Sequence, residues 1–418
     1  MKNAVVQVAM PATATTQDFT DASISSDFKA ALFFNTNGTA NDTAAAGSRL
    51  GIGLVDGTNQ AAYGSAGQDA AATSQVSSSG NTTWAAILPT HASGGDPAAE
   101  SAYTSTLSNG VRITWSDIDA QQLINALMFG GSDVQAAVVT ATFSGTGPPQ
   151  TVTVTPGFTP DVLIAVAHGA AAGGNGNGVL SLGFYDRVGN TYAGFAQRNT
   201  TAVAAASANA NLSSSWIAAE VDGSAAATYS VTVGNFTATQ FDATVSTGAT
   251  SDIVSFLCLK ITGGVYKVGI ADTPTSTGNT AMVSGMSGAP SAVLWLLTRM
   301  TATGTSTTDP AGHIGLGVSV NNGGSTQQMY ACAQIDDAAD PTVDQCQTGN
   351  AACSRILDTA GAADVQATVN SWDAGGVTLN FSNVSASALK IPYLAIGAAS
   401  AQSNAPRAMF QMMMARNR

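Results

Sequence analysis

Glutamate is almost missing from this chain of 418 residues: Glu100 and Glu220 are the only two, and the other acids are aspartates. Charged residues of all kinds make up 10%. Exposed helices draw on Glu, Lys and Arg, so this scarcity disfavours long helices, and abundant Gly, Thr and Val favour strands. Alanine is plentiful and is the best helix former, but here it lies among Gly, Thr, Ser and Asn. Basic residues are also few. The net charge of −12 excludes the broad basic face that nucleic acid demands. No apolar run approaches the ~18 residues of a membrane-spanning helix, so no membrane insertion is expected. The opening stretch, Met1 to Thr16, carries one Lys and a short apolar run broken by Gln7 and Pro11. It does not read as a secretory signal, and synthesis in the cytoplasm is expected. Four cysteines are too few for a disulfide framework. Cys346 and Cys353 flank a short loop that a disulfide could close, but free thiols suit a cytoplasmic product. The three histidines, His91, His168 and His313, are too scattered for a zinc site.

What is present is a repeat. LGIGLVD, Leu50 to Asp56, recurs as LSLGFYD, Leu180 to Asp186, and as IGLGVSV, Ile314 to Val320. Gly53, Gly183 and Gly317 hold the fourth place each time, with apolar residues at the first, third and fifth. Apolar residues at every second position put one strand face into a core. A Gly inside such a strand marks a bulge, a bend or a close backbone approach.

Other stretches recur in the same order. Compact apolar runs precede the glycine strand: Phe28 to Phe34, Pro160 to Val166 and Pro290 to Leu296. Between run and glycine strand lies a loop of small and polar residues, Asn35 to Ser48, Ala170 to Gly178 and Thr301 to Gly312. Apolar-small stretches follow, from Gln60, Asn190 and Gln327. NGVRITWS, Asn109 to Ser116, is an alternating strand after an Asn-Gly turn signal. It matches Gly375 to Ser382 and, more loosely, Phe241 to Ser246. Each unit closes on an apolar strand, Leu123 to Phe129, Ile253 to Ile261 and Ile391 to Ala398. Many short strands between Gly/Asn/Asp turns predict an all-β chain of three tandem antiparallel β-sandwich domains, jelly-roll-like, each of about 130 residues. The expected segments are 1–143 with a short N-terminal arm, 144–270, 271–400, and a docking arm over 401–418.

The recurring pattern, with PSAVLWLLTR, LGIGLVDG, GVRITW and YLAIGA as its members, resembles repeat proteins encoded among the virion genes of tailed bacteriophages. The resemblance covers nearly the whole chain. It implies a non-enzymatic structural protein on the particle exterior: capsid decoration, head fibre or tail-associated. The implied partners are other virion proteins and further copies of the chain, and the implied location is the virion. The second unit departs most, with Ser181 where the others have Gly51 and Gly315. A receptor- or glycan-binding spike is the alternative from another class, and a polysaccharide depolymerase a third.

The candidate chemistry is sparse, and no catalytic residue, cofactor or metal is expected. GGNGNG, Gly173 to Gly178, lacks the Lys-Ser/Thr ending of a phosphate loop and reads as an interstrand loop. Asp56 and Asp186 end two of the glycine strands and read as turn residues rather than Ca²⁺ ligands. His168 has no nucleophile or orienting acid in a recognisable motif. Glu100 and Glu220 fall in non-equivalent positions for a glycosidase pair. Trp115 and Trp295 lie in strand patterns and are expected in the core. The C-terminal stretch carries Arg407, Ala408, Met409, Phe410, Met412, Met413, Met414, Arg416 and Arg418. Flexible Met and Arg side chains suit a partner surface, so these are the expected docking residues.

Overall fold

The compact apolar runs lie at the centres of three sheets, where strands on both sides cover their main-chain groups. The computed structural model describes residues 1–25, 27–67, 76–90, 97–119, 121–144, 149–168, 173–175, 178–199, 208–221, 227–246, 252–304, 306–309, 311–336, 345–358 and 362–398. Among these the structure is all-β, with antiparallel sheets and no helix.

The first set of strands is β1 (Lys2–Ala9), β2 (Thr16–Thr20), β3 (Phe28–Asn35), β4 (Ala45–Ala46), β5 (Ser48–Val55), β6 (Gln60–Gly67), β7 (Val76–Asn81), β8 (Ala86–Leu88), β9 (Ala99–Leu107), β10 (Gly110–Asp117) and β11 (Leu123–Gly130). The second is β12 (Val134–Thr142), β13 (Gln150–Val154), β14 (Val162–His168), β15 (Gly173–Asn175), β16 (Gly178–Asp186), β17 (Thr191–Asn199), β18 (Ala208–Ser213), β19 (Ala218–Val221), β20 (Ala227–Gly234), β21 (Phe241–Val245) and β22 (Ile253–Ile261). The third is β23 (Gly264–Asp272), β24 (Gly278–Val283), β25 (Ala292–Thr298), β26 (Ser306–Asp309), β27 (Ala311–Asn322), β28 (Ser325–Asp336), β29 (Gln345–Gly349), β30 (Ser354–Leu357), β31 (Ala363–Asp373), β32 (Gly376–Asn383) and β33 (Lys390–Ala398). We refer to these sets as repeats 1, 2 and 3.

The sheet orders recur with the repeats. The seven-stranded sheets run β1-β11-β3-β5-β6-β7-β15, β12-β22-β14-β16-β17-β18-β26 and β23-β33-β25-β27-β28-β29-β4. The four-stranded sheets run β2-β10-β9-β8, β13-β21-β20-β19 and β24-β32-β31-β30. The three glycine strands, β5, β16 and β27, therefore hold the same place in their sheets.

Sheet membership moves the expected junctions. Residues 134–142, grouped by sequence with the first segment, form β12 and pair along their length with β22. Residues 264–270, grouped with the second, belong to β23 and pair with β33. The expected N-terminal arm is likewise a strand: β1 pairs with β11 from Lys2↔Gly130 to Ala9↔Leu123. The wiring combines two kinds of connection: β11 returns between β1 and β3, and β10 beside β2. By contrast, β3, β5, β6 and β7 form a meander, as do β8, β9 and β10. Tight turns such as Asp56 to Asn59 keep successive strands adjacent.

Burial explains two kinds of strand pattern. Each four-stranded sheet packs on one face of its own seven-stranded sheet. In repeat 1 this core holds Phe19, Phe33, Val111, Ile113 and Trp115, and in repeat 3 it holds Trp295, Phe381 and Tyr393. The opposite faces of all three seven-stranded sheets meet in one further core, which includes Leu32, Phe34, Ile164, Leu182, Leu294 and Leu316. A sheet covered on both faces reads as a continuous apolar run, as in β14 and β25, buried throughout. The four-stranded sheets face solvent on one side and alternate, as β20 and β2 do.

Candidate functional site

The repeated glycines come first, because their environment is the same three times. A Cβ on Gly53 would run into the carbonyl oxygen of Ala85, one on Gly183 into that of Ile217, and one on Gly317 into that of Cys353. Each carbonyl belongs to the residue just before the outer strand of the four-stranded sheet, β8, β19 or β30. The main-chain N–H of the same three residues donates across that sheet to Ser101, Val231 and Ala367, at 2.6, 2.9 and 3.0 Å. Glycine is thus where the two layers cross with no room for a side chain. Ser181 shows how repeat 2 departs: its buried hydroxyl donates to the Phe195 carbonyl at 3.1 Å and accepts from Ala219 N–H at 3.0 Å.

The small-residue loops before the glycine strands carry the junctions between repeats. Each sends a short strand out of its own repeat. β4 pairs with β29 of repeat 3, β15 with β7 of repeat 1, and β26 with β18 of repeat 2. All three exchanges run in the same rotational sense, so the repeats form a closed ring. The GGNGNG stretch holds one of these strands: Gly173 and Gly174 pair with Gly80 and Ser79. An added strand satisfies the main-chain groups of an edge that would otherwise attract other chains.

The opposite edges, β1 and β12, are capped by the preceding repeat. Val5 N–H donates to Gln327 Oε1 at 3.0 Å, and Val138 N–H to Asp56 Oδ2 at 2.6 Å. Val5 and Val138 hold the same register, opposite Leu127 and Leu257. Asp56 also serves its own turn, as the sequence suggested. Its Oδ1 accepts the N–H groups of Thr58 and Asn59 at 2.8 and 2.6 Å, and Gly57 follows with φ +86°. Asp186 accepts from Val188 and Gly189 at 2.9 and 3.0 Å.

Polar side chains are built into each contact of repeat 1 with its neighbours. Toward repeat 2, the hydroxyls of Tyr63 and Ser255 lie 2.7 Å apart, and Ser255 and Thr140 2.8 Å apart. The His168 ring packs 5.1 Å from that of Tyr63. Burial pushes its pKa down to about 4, partly offset by the Gly80 backbone. Toward repeat 3, Asn125 Nδ2 donates to Thr348 Oγ1 and Asn3 Nδ2 to Ser291 Oγ, both at 2.9 Å. Apart from His168, none of these residues stands out by spacing, and the sequence offered no signal for them.

Two clefts open beside the junctions. One, of about 660 Å³, lies between repeats 1 and 2 and is lined by Thr58, Asn59, Thr82, Thr83 and Val139 among others. Two hydroxyls on its wall are already engaged, Thr140 with Ser255 and Thr153 with Asp242 at 2.8 Å each. The other, of about 440 Å³, lies between repeats 2 and 3 against Asp186, Val188, Tyr266, Lys267 and Met286.

The remaining candidates are dispersed. Glu100 is on β9 and takes a bond from Ser116 at 3.1 Å. Glu220 is on β19, in another sheet, 3.9 Å from Arg198. Burial, reinforced by Asp252, raises the Glu220 pKa to about 7 against the pull of Arg198. His313 is buried with Nδ1 3.4 Å from the Leu297 carbonyl, and burial and Arg299 lower its pKa to about 3. Trp115 and Trp295 are core residues whose Nε1 groups donate to Gln17 at 2.7 Å and Ser319 at 3.0 Å. All four cysteines are free and buried. Arg407, Ala408, Met409, Phe410, Met412, Met413, Met414, Arg416 and Arg418 lie outside the described residues, as does His91. No family model, curated protein or solved structure matches the chain.

Proposed function

We propose that the chain is a non-enzymatic structural component of a bacteriophage virion. In this reading three tandem β-sandwich domains are fused into a single-chain counterpart of a trimer. It assembles on the particle exterior through protein–protein contacts, as capsid decoration in preference to a fibre or tail element. The observation that carries the reading is the cyclic exchange of β4, β15 and β26. A fibre of stacked domains would leave an arm unused at one end and an acceptor edge open at the other. Here β4 returns to repeat 3 and both ends are used. Three like wedges around one axis suit a local threefold position on a shell of other subunits, and closed symmetry favours such matched surfaces. The low charge, 10% of residues, fits a surface that is covered by neighbours.

A density map of purified particles tests the proposal directly. A trefoil of three sandwiches at local threefold positions is the expected result. Particles that lack the protein altogether, or release of oligosaccharides from host capsule or lipopolysaccharide by the purified chain, would refute it.

A further inference from the structure

Two of the three junctions are spanned by the chain itself, by residues 131–133 between β11 and β12 and by 262–263 between β22 and β23. The third, between repeats 3 and 1, is held without a peptide connection. It also has the shortest exchanged strand. β4 pairs over two residues, against three for β15 and four for β26.

Asp42 closes this seam. It lies in the exchanged arm with φ +57°, in the left-handed region, and its N–H donates to the Thr348 carbonyl at 2.8 Å. The corresponding bond where β26 meets β18 runs from Gly304 N–H to the Leu212 carbonyl, also 2.8 Å, and Gly304 has φ +70°. Thr348 and Leu212 are equivalent, each preceding the residue that pairs opposite Tyr330 or Gly194. Glycine adopts this conformation freely, whereas a residue with a side chain is strained there. At the seam the strained residue supplies a carboxylate. Its Oδ1 accepts the Tyr330 hydroxyl at 2.7 Å and lies 3.5 Å from Arg355 Nη1. The Arg355 guanidinium in turn lies 5.8 Å over the Tyr330 ring.

We infer that the seam is a docking surface for a second copy of this chain. Asp42 latches it within one molecule, and when it opens it re-forms between two, repeat 1 of each seated against repeat 3 of the other. The occupant follows from the contacts. A second copy carries the same β4, the same β29 edge, and the same Asn3–Ser291 and Val5–Gln327 partners, so every seam contact is replaced by an identical one. The connections of two and three residues are short hinges, a feature that favours exchange of whole elements between copies.

The test uses the full chain. Asp42→Gly keeps the backbone conformation that Gly304 adopts and removes only the latch. Asp21→Cys with Gln327→Cys reports the seam, because Gln327 Nε2 donates to Asp21 Oδ2 at 3.4 Å and the native cysteines are all buried. After incubation at high concentration, light scattering on a sizing column gives the dimer fraction, and a short bismaleimide links the introduced thiols. Because the latch is lost from monomer and dimer seams alike, Asp42→Gly should leave the final dimer fraction unchanged and speed its approach about tenfold, the effect of one charge-assisted bond on seam opening. The cross-link should join two chains in the dimer peak and one chain in the monomer peak. In Asp42→Gly without the reporter cysteines, which would themselves uncap Val5, amide exchange should quicken at Val5 and Thr348 and stay unchanged at Val138 and Leu212. A variant that remains monomeric, even with faster seam exchange, overturns the inference. So do dimers whose thiols link within one chain.

Discussion

Gly53→Ala should be among the most damaging single-methyl additions this chain can receive. An added Cβ would stand 1.9 Å from the Ala85 carbonyl oxygen, where 3.0 Å is already closer than real Cβ atoms come. The obstacle is main chain on both sides, with no rotamer to swing away. Relief requires the two layers to part by about 1 Å, and a gap of that size forfeits a quarter to a half of each dispersion contact along the crossing. Insertion of a methyl group into a filled core usually costs ~1–3 kcal/mol, and this site belongs at the top of that range. Gly183→Ala and Gly317→Ala meet carbonyls at 1.9 and 1.8 Å and should cost the same. The control is Gly234→Ala, also in a strand, where nothing lies within 4 Å of the added atom. It should be within about 0.5 kcal/mol of wild type, as exposed strand substitutions are. Urea midpoints for the four variants measure the contrast. If Gly53→Ala unfolds alongside Gly234→Ala, layer crossing is not why these positions are glycine.

Three further outcomes follow from the electrostatics and the caps. Glu220, held at about 7 in the folded chain against 4.5 in the open, binds an extra proton when folded between those values. Its ionisation therefore weakens folding as pH rises through that window, by roughly 3 kcal/mol at most; Glu220→Gln should raise Tm at pH 8 and leave it unchanged at pH 4.5. His168 and His313 shift the other way, to about 4 and 3, so the unfolded chain takes up protons below pH 6.5 that the folded chain refuses. Stability should fall as pH drops from 6.5 toward 4, and His168→Phe should flatten that limb of the Tm profile if the fold is retained. Asp56→Ala removes the turn bonds to Thr58 and Asn59 and uncaps Val138; a loss of about 1–2 kcal/mol is expected, with Val138 amide exchange accelerated, and unchanged exchange there would reject the capping role.

The β class and the glycine strands were legible in the sequence for one physical reason. Strands buried on both faces must be apolar throughout, so β3, β14 and β25 show as uninterrupted runs. The Asp56-Gly57 turn was legible because its chemistry is local. The junctions were not. β12 and β23 are half-buried edge strands, and which sheet they join depends on partners more than a hundred residues away. The exchanged strands were hidden more deeply. Ala45–Ala46, Gly173–Asn175 and Ser306–Asp309 join a neighbour's edge by main-chain hydrogen bonds, and such bonds leave no mark on side-chain pattern. Tyr63, Ser255 and Asn125 are polar residues flanked on both sides by apolar or small ones, and their partners become visible only when the repeats are set side by side.

Fusion of three repeats into one chain changes what each junction can hold. In a trimer of identical chains, every substitution near the axis appears three times, so a buried titratable group would be buried threefold. Here the position of His168 is occupied by Thr36 in repeat 1 and Thr298 in repeat 3, by alignment along β3, β14 and β25. The two threonines do the same local work: their hydroxyls accept the N–H groups of Gly38 at 3.1 Å and Met300 at 3.2 Å. Repeat 2 alone replaces them with an imidazole packed on Tyr63. The same divergence puts Ser255 where repeat 1 has Asn125 and repeat 3 has Pro392, by alignment along β11, β22 and β33. Each junction thus carries its own polar set on a shared apolar frame, and the order of repeats around the axis is specified by which set meets which. The apolar core that the three seven-stranded sheets share does not by itself distinguish one junction from another. The unequal polar contacts remove that ambiguity, because a mispaired junction would leave Asn125, Tyr63 or Val138 N–H buried without its partner, at roughly 1–3 kcal/mol each.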